Sequence, residues 1–498
     1  MGIIVRQSIK GISANYIGSF IGFLTTMFVL TKYLLPEEIG LTQAIFQVAL
    51  MFANFALMGI TASALRFYPY FRNSENKDNG FFFYILLLPT IGLAIFISVY
   101  LLLKEPISIF FSANSNLFID YYHWVIPLIC ILVYWMTFET YANQKMRIAI
   151  PKFVREVLLR IMHLVVYLSY AFKLLTLNEF IACFILVYGI TMIAVLFYIN
   201  RIGDLTFKHD FSFFTKELKK NIAKYTGVLV LGVLGGGILS SLDFFMVNAQ
   251  LGLNYGGIYT IALYIAVIIE IPSRSITQIS APIAAKSLKD GKLDEANTMY
   301  KKVALHQLIA GGLFFILIWI NIDNIFAILP NGHIYSAGKW VVFFLALSRF
   351  IYITLNFGTI LISFTKYYYW TLPFTLFTTI IGIIANLLLI PRYGITGAAI
   401  ATLITYIISY TAMQCIVVTK IKGNPFSINM FKFILLLCSA FILNYFLPIW
   451  SDNPIIDGIY RTVIIGIFTL FILYKLKLSE EISLLISSVT NKMKINNK

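Results

Sequence analysis

The stretch Asn386–Tyr406, NLLLIPRYGITGAAIATLITY, sets a Pro-Arg-Tyr-Gly turn between two apolar runs and follows it with small residues. Pro391 lacks a backbone donor and disfavours helical geometry in the residue before it, so the first run is expected to stop there as a helix. Arg392 to Gly394 then make a short turn. Gly394, Gly397, Ala398, Ala401 and Thr405 fall at helical spacing along the second run. Such a stripe lets one helix backbone approach another inside a membrane, so it reads as a packing seam rather than a site of chemistry. Two apolar helices joined by so tight a turn predict a membrane-embedded helical hairpin.

The rest of the chain repeats that pattern. Of 498 residues, 59% are hydrophobic and 12% charged. A soluble protein carries about 25% charge, so this chain cannot cover a globular surface with polar groups. Apolar runs of about 18–20 residues or more recur along its length. They mark roughly 14 spans, at about 10–32, 41–68, 81–103, 119–141, 153–173, 178–200 and 224–249. The others are at about 256–284, 301–321, 338–365, 368–390, 393–419, 431–449 and 457–475. The first is a full span flanked by Arg6 and Lys10 with no small-residue cleavage pattern, so it reads as a helix and not a removable signal. Cys130, Cys183, Cys415 and Cys438 are scattered through apolar runs, which predicts buried thiols and neither a disulfide framework nor a metal site.

Basic residues divide between alternate loops, 28 against 6. The rich side includes Arg6, Lys10, Arg72, Lys77, Lys145, Lys208, Lys219, Lys224 and the Lys492–Lys498 tail. The poor side holds Lys32, Lys104, Lys173, Lys339, Arg392 and Arg461. That asymmetry places the rich side, and both termini, in the cytoplasm. It also accounts for the net charge of +16 without nucleic acid as a partner.

A polar stretch near the middle, Arg201–Lys224, alternates Phe211, Phe213, Phe214 and Leu218 with Lys216, Lys219 and Lys220 and reads as an amphipathic segment on the inner leaflet. On either side of it a motif recurs. LLPEEIGLTQAIF (Leu34–Phe46) follows the first span and LGLNYGGIYTIAL (Leu251–Leu263) the seventh, each a short turn and then Gly40 or Gly257 in an apolar helix. Equal span numbers imply two parallel six-helix repeats about an axis along the membrane normal. The expected organisation is an N-terminal bundle at 1–200, a linker at 201–223, a second bundle at 224–419, an extra helix pair at 420–476 and a tail at 477–498. Small residues in the seventh span, LGVLGGGILSS, suit either static close packing or a mobile inner helix.

Charges within spans are the candidate functional residues, because a charge at the bilayer centre costs at least about 2.5–3.5 kcal/mol. Asp243, Glu270, Arg274 and Arg349 are of this kind; Arg66, Glu139, Glu156 and Arg160 lie nearer inner ends. Glu270 and Arg274 share a helix face at i, i+4. They are either an internal pair that lets the helix insert, or part of a cationic cavity with Arg349 and Arg66 whose guanidinium forks suit a pyrophosphate group. Asp243 has no basic residue at helical spacing and is either an inter-helix partner or a site for a coupling ion, a role Glu270 shares. Tyr121, Tyr122 and Trp124, and the run Thr365–Phe374, are expected at membrane interfaces. His163 and His306 read as satisfied core histidines. The sequence carries no GxxxxGK[ST], HExxH or GxSxG motif, and loops of about 25 residues at most are too short for a soluble catalytic domain. An enzyme is not expected, and no cofactor or metal is called for.

The segment Ser240–Ala266, SSLDFFMVNAQLGLNYGGIYTIALYIA, resembles the Asp-containing seventh helix and following turn of oligosaccharide flippases. PRYGITGAAIAT (Pro391–Thr402) resembles their P-x-Y-G-x-x-G-A-A-x-A-T signature, and LLPEEIGLTQA is similar to their first outer turn. These are the Wzx-type polysaccharide biosynthesis transporters of the MATE/MOP superfamily. The resemblance implies an all-α, MATE-like fold in a bacterial inner membrane. It implies translocation of an undecaprenyl-diphosphate-linked oligosaccharide by alternating access, with O-antigen-like surface polysaccharide as the end product. Implied partners are that substrate, membrane lipids and a polysaccharide polymerase complex, with the transporter itself a monomer. Asp243 matches the family position directly; Arg66, Arg274, Arg349 and Glu270 rest on the burial argument. The competing expectation on the same fold is a cation-coupled exporter of small amphipathic compounds, whose cavity would be acidic.

Overall fold

The computed structural model describes residues 3–71, 77–112, 116–201 and 215–479. Residues 202–214 of the expected linker, the tail beyond residue 479 and Arg72 lie outside the described residues, as do the side chains of Arg6, Lys10, Lys77, Lys219 and Lys224. The described residues are helical with no strand among them. Eleven segments are long and apolar enough to cross a membrane. One of these, Tyr368–Ile421, is two helices, and the helical stretches 149–171 and Lys216–Leu251 stand where the fifth and seventh spans were expected. The chain is an all-α polytopic membrane protein. It divides into two compact units, Met1–Thr260 and Ile261–Lys498.

In the first unit the principal helices are α1 (Ile3–Leu24), α2 (Pro36–Ala56), α3 (Ile60–Phe71), α4 (Phe81–Leu102), α5 (Lys104–Ser112) and α6 (Val125–Gln144). They are followed by α7 (Leu159–Ala171), α8 (Leu177–Arg201), α9 (Lys216–Leu251) and the first half of α10 (Leu253–Val267). Local chemistry sets the boundaries. Pro36 occupies the first turn of α2, where its missing donor costs nothing, and Glu38 Oε2 accepts from the Leu35 amide at 2.8 Å. Met58 and Gly59, both with positive φ, separate α2 from α3. Two π-helical stretches, Thr25–Leu30 after α1 and Val154–Leu158 before α7, widen their helices locally.

Lipid gives helices no hydrophobic reason to associate, so close packing and hydrogen bonds must hold the unit. Helix α9 lies along α2 and α3 on such contacts. Ser241 donates to Gln47 Oε1 at 3.1 Å, and a β-carbon on Gly237 would meet the Phe55 ring at 2.9 Å. Further along, Gly59 lies on Leu229, Ser63 and Thr226 hydroxyls are 3.4 Å apart, and the Phe67 and Tyr225 rings meet edge to face. The repeated motifs meet each other. A β-carbon on Gly40 would stand 2.0 Å from the Leu253 carbonyl oxygen, and one on Gly257 would stand 1.9 Å from that of Pro36. Each glycine lies four residues after the carbonyl that its counterpart rests on.

In the second unit the chain continues through α11 (Ile271–Lys289), α12 (Leu293–Ile320), α13 (Ile322–Ile328) and α14 (Lys339–Ser363). Then come α15 (Thr371–Ile421), α16 (Ile428–Phe446) and α17 (Pro454–Lys475). Its core gathers Tyr300, Ile316, Phe357, Val417, Phe433 and Ile465. Gly311 and Gly312 let Ile353 of α14 and Phe433 of α16 close onto α12. The last helix is pinned by a polar clamp: Asp457 accepts from Arg461 Nε (2.7 Å), Asn324 Nδ2 (2.8 Å) and the Trp450 amide (3.0 Å), and Arg461 also donates to Asn444 at 2.9 Å.

The Asn386–Tyr406 hairpin differs in detail from its expected form. The first helix does not stop before Pro391; it runs on through it, and the chain breaks at Gly394 (φ 58°, ψ −140°). A proline is tolerated in a membrane helix where neighbours satisfy the freed carbonyl, whereas the Gly394 geometry is open essentially to glycine alone. Gly397 then lies against the Leu389 carbonyl, where a β-carbon would stand at 2.1 Å. Ala398, Ala401 and Thr405 are buried, as a packing seam requires.

Other expectations are corrected. Tyr121 and Tyr122 are buried within the unit rather than exposed as belt residues would be: Tyr122 stacks on Tyr100 at 4.3 Å, and the Tyr100 and Tyr122 hydroxyls each donate to the other residue's carbonyl. Trp124, Tyr368 and Tyr369 are exposed, as belt residues would be. Cys415 and Cys438 are exposed rather than buried. His163 is buried against Phe184 and Tyr188 with Nε2 3.2 Å from the Phe184 carbonyl, a satisfied core histidine.

Candidate functional site

In the second unit, the span that begins with α10 is interrupted where Ile268–Glu270 forms a 3₁₀ turn. Pro272 in the first turn of α11 explains the interruption, since it removes a donor that a continuous helix would use. Glu270 thereby stands at the N-terminus of a half-helix, where the backbone dipole favours negative charge. Interrupted helices of this kind form binding sites in membrane transporters.

Two guanidiniums converge on Glu270. Arg349 of α14 places Nη1 3.0 Å from Oε1, and Arg274, one turn along α11, places Nη2 3.6 Å from Oε2. The Glu270 side chain is 14% exposed, Arg349 22% and Arg274 64%. The carboxylate is thus enclosed while one arginine reaches outward. Together the three groups carry one excess positive charge, since both arginines stay ionised. Arg349 Nη1 also lies 3.5 Å from the Tyr406 hydroxyl, and its guanidinium stands 5.8 Å from the centre of that ring. Tyr406 packs with Tyr352 and Tyr410 at ring separations of 5.7–5.8 Å. Asn356 joins them, donating to Tyr352 and accepting from Tyr410, both at 3.4 Å. Behind the half-helix, Gln307 of α12 donates to Ser273 at 3.1 Å and to Thr277 at 2.8 Å, which fixes the face that α11 presents.

The first unit contains the other two sequence candidates. Arg66 is exposed near the end of α3, its guanidinium 4.3 Å from the centre of the Tyr225 ring and 5.7 Å from that of Phe67. Asp243 lies on α9, with the Tyr259 hydroxyl 3.4 Å from Oδ2. Tyr225 and Asp243 are 18 residues apart on one unbroken helix, about 27 Å along its axis. Arg66 and Asp243 therefore mark separate places in this unit. Near Asp243, Gln47, Met51, Phe111, Ser241, Phe245 and Asn248 line a small recess.

The first unit also holds an ion network that sequence reading saw only in part. Arg155 Nη1 donates to both carboxylate oxygens of Glu139, at 2.8 and 2.9 Å, and its Nε reaches Glu156 at 3.1 Å. Arg160 completes it, bound to Glu156 at 3.1 Å. Gly18 and Gly22 of α1 pack directly on Glu156 and Arg160. Arg155 and Glu139 are 16 residues apart on different helices, so their pairing has no local signal in the sequence. The tyrosine cluster was equally hidden, because its members are three among 30 tyrosines.

No protein-family model and no curated protein matches the chain. Solved structures do. Lipid II flippase MurJ in an inward closed conformation superposes with a TM-score of 0.71 at 15% identity, over 94% of this chain and 99% of that one. A multidrug resistance MATE family transporter of the MOP superfamily, in an inward-facing conformation, gives 0.60 at 14% identity, over 83% and 99%. A MOP superfamily transporter from Pyrococcus furiosus, described as having a binding pocket of reverse polarity, gives 0.55 at 14% identity, over 85% and 96%. The fold is MATE-like.

Proposed function

We propose that this protein is an alternating-access transporter that carries an undecaprenyl-diphosphate-linked oligosaccharide across a bacterial inner membrane for surface polysaccharide assembly. The observation that carries the proposal is the Glu270–Arg274–Arg349 cluster, with its excess positive charge on an interrupted helix. Guanidinium forks match phosphate oxygens in pairs, and a diphosphate offers enough charge to engage two of them. The adjoining Tyr352, Tyr406 and Tyr410 supply the flat apolar faces and hydroxyls that a sugar next to the diphosphate would meet.

Two further points support a lipid-linked substrate over a small amphipathic cation. The likeness to the lipid II flippase extends over more of the chain than that to the multidrug transporter. The cluster is also cationic, whereas a site for organic cations should be anionic. In this reading the chain is two six-helix repeats, 1–200 and 224–419, with a membrane-surface linker at 201–223 and an additional helix pair at 420–476. Both termini are cytoplasmic on the basic-residue bias. The protein works as a monomer that hands its product to a polysaccharide polymerase. Arg66 adds a substrate contact in the first repeat, and Asp243 with Glu270 couples transport to an ion gradient.

Reconstituted vesicles test this. Wild-type protein should move a fluorescent undecaprenyl-diphosphate glycan between leaflets, and Arg274→Ala and Arg349→Ala should not, although both variants stay in the membrane. Undiminished transport by the two variants would remove the cationic site from the proposal. Asp243→Asn should leave transport insensitive to an imposed pH gradient; retained sensitivity would take the coupling role from Asp243.

A further inference from the structure

Glu270 holds the two arginines in a particular way. One carboxylate oxygen faces Arg349 and the other faces Arg274, at 3.0 and 3.6 Å. A bridging carboxylate of this kind sits in the field of both guanidiniums, where two oxygens of a diphosphate would approach them. We infer that Glu270 is a built-in stand-in for the substrate's phosphates, and that it makes the site selective for a diphosphate over a monophosphate. The inference rests on the reading of Arg274 and Arg349 as phosphate contacts.

The reasoning is one of competition. An incoming anion competes with Glu270 for the two arginines, and gains both fully only as the two ion pairs of Glu270 are loosened. A monophosphate has one phosphorus centre, so it spans a single guanidinium fork and gains little over the carboxylate it competes with. A diphosphate has two linked phosphate centres, one for each fork, so it can displace the carboxylate and still leave the arginines better paired. The exposure pattern fits an exchange. Arg274 is 64% exposed and holds Glu270 by the longer contact, so it can leave first, while Arg349 is enclosed with Tyr406 beside it. A carboxylate kept only to let the helix insert would not discriminate between anions.

The test uses the full-length protein in lipid nanodiscs, titrated calorimetrically with inorganic pyrophosphate and with orthophosphate. Wild-type protein should prefer pyrophosphate by at least about tenfold. Glu270→Gln should bind both probes about tenfold tighter or more, with the ratio between them reduced several-fold. Glu270→Asp, which keeps the charge but shortens the arm, should fall between the two and provides the answer if Glu270→Gln does not fold. Arg349→Ala should abolish binding in every background. A folded Glu270→Gln or Glu270→Asp protein that binds pyrophosphate no tighter than wild type, while Arg349→Ala still eliminates binding, would overturn the stand-in role and leave the phosphate site intact. Pyrophosphate binding that survives loss of Arg274 and Arg349 would overturn both.

Discussion

Each unit of the molecule contains a partly buried ion cluster, and the two clusters are built differently. In the first, Glu139, Arg155, Glu156 and Arg160 form a chain of two carboxylates and two guanidiniums, with glycines of α1 packed against it. In the second, one carboxylate serves two guanidiniums beside a tyrosine cluster on an interrupted helix. In the first, every guanidinium is held by a carboxylate at hydrogen-bonding distance, and Lys152 stands close enough to feel both carboxylates. In the second, one carboxylate is shared by two guanidiniums, one of them at the longer distance of 3.6 Å. Burial of charge alone is therefore a poor marker of a binding site in a membrane protein; a carboxylate that two guanidiniums must share is a better one.

The strongest way to break this comparison is to treat the two clusters alike. Arg349→Ala should reduce glycan transport to background, since removing one partner of an enclosed charge pair costs about 2–5 kcal/mol. Arg155→Ala should instead leave substrate binding within about twofold of wild type. Its cost should appear as a lower detergent-solubilised melting temperature, worth about 1–3 kcal/mol for the lost charge-assisted bonds. Equal transport defects from the two variants, at equal protein levels, would dissolve the distinction between structural and functional charge.

Substitutions away from both clusters set the scale for pure packing. Ala398→Leu forces a larger side chain into the buried seam of α15 and should cost about 1–3 kcal/mol of stability without changing pyrophosphate affinity. A folded variant with wild-type melting behaviour would show that the seam is looser than the buried Ala398 and Ala401 imply. The smallest effect on stability should come from Arg66→Ala. An exposed cation over the Tyr225 ring is worth about 0.5–1 kcal/mol, so any transport defect much larger than that loss would mark Arg66 as a substrate contact.

The sequence made the two clusters unequally visible. The spans could be read because hydrophobic length and alternating loop charge are properties of consecutive residues. Glu270 and Arg274 could be paired because four residues of helix bring them together. Arg349 was recognisable as an intramembrane charge, but its partner lies on another helix, and nothing local encodes that meeting. The Arg155–Glu139 pair is hidden for the same reason, its two residues standing on different helical segments. At the Pro391 hairpin the turn was placed within three residues, and the error was one of mechanism. Proline reads as the breaker in the sequence, although the conformation that only glycine adopts breaks the helix three residues later. Small residues announced that backbones would be close, and Gly397 on the Leu389 carbonyl shows how close.

Gly40 and Gly257 face each other's helices in mirror fashion, each resting on the carbonyl four residues before the other. A side chain at either position pushes on the same joint, so the first substitution opens what the second would have opened. In a double-mutant cycle the two should be strongly sub-additive, the pair of changes costing little more than the worse one alone. A recurring motif whose two occurrences close on each other in this way makes each a condition of the other's fit. Neither glycine can be exchanged to suit its own surroundings without first spoiling the fit of its twin.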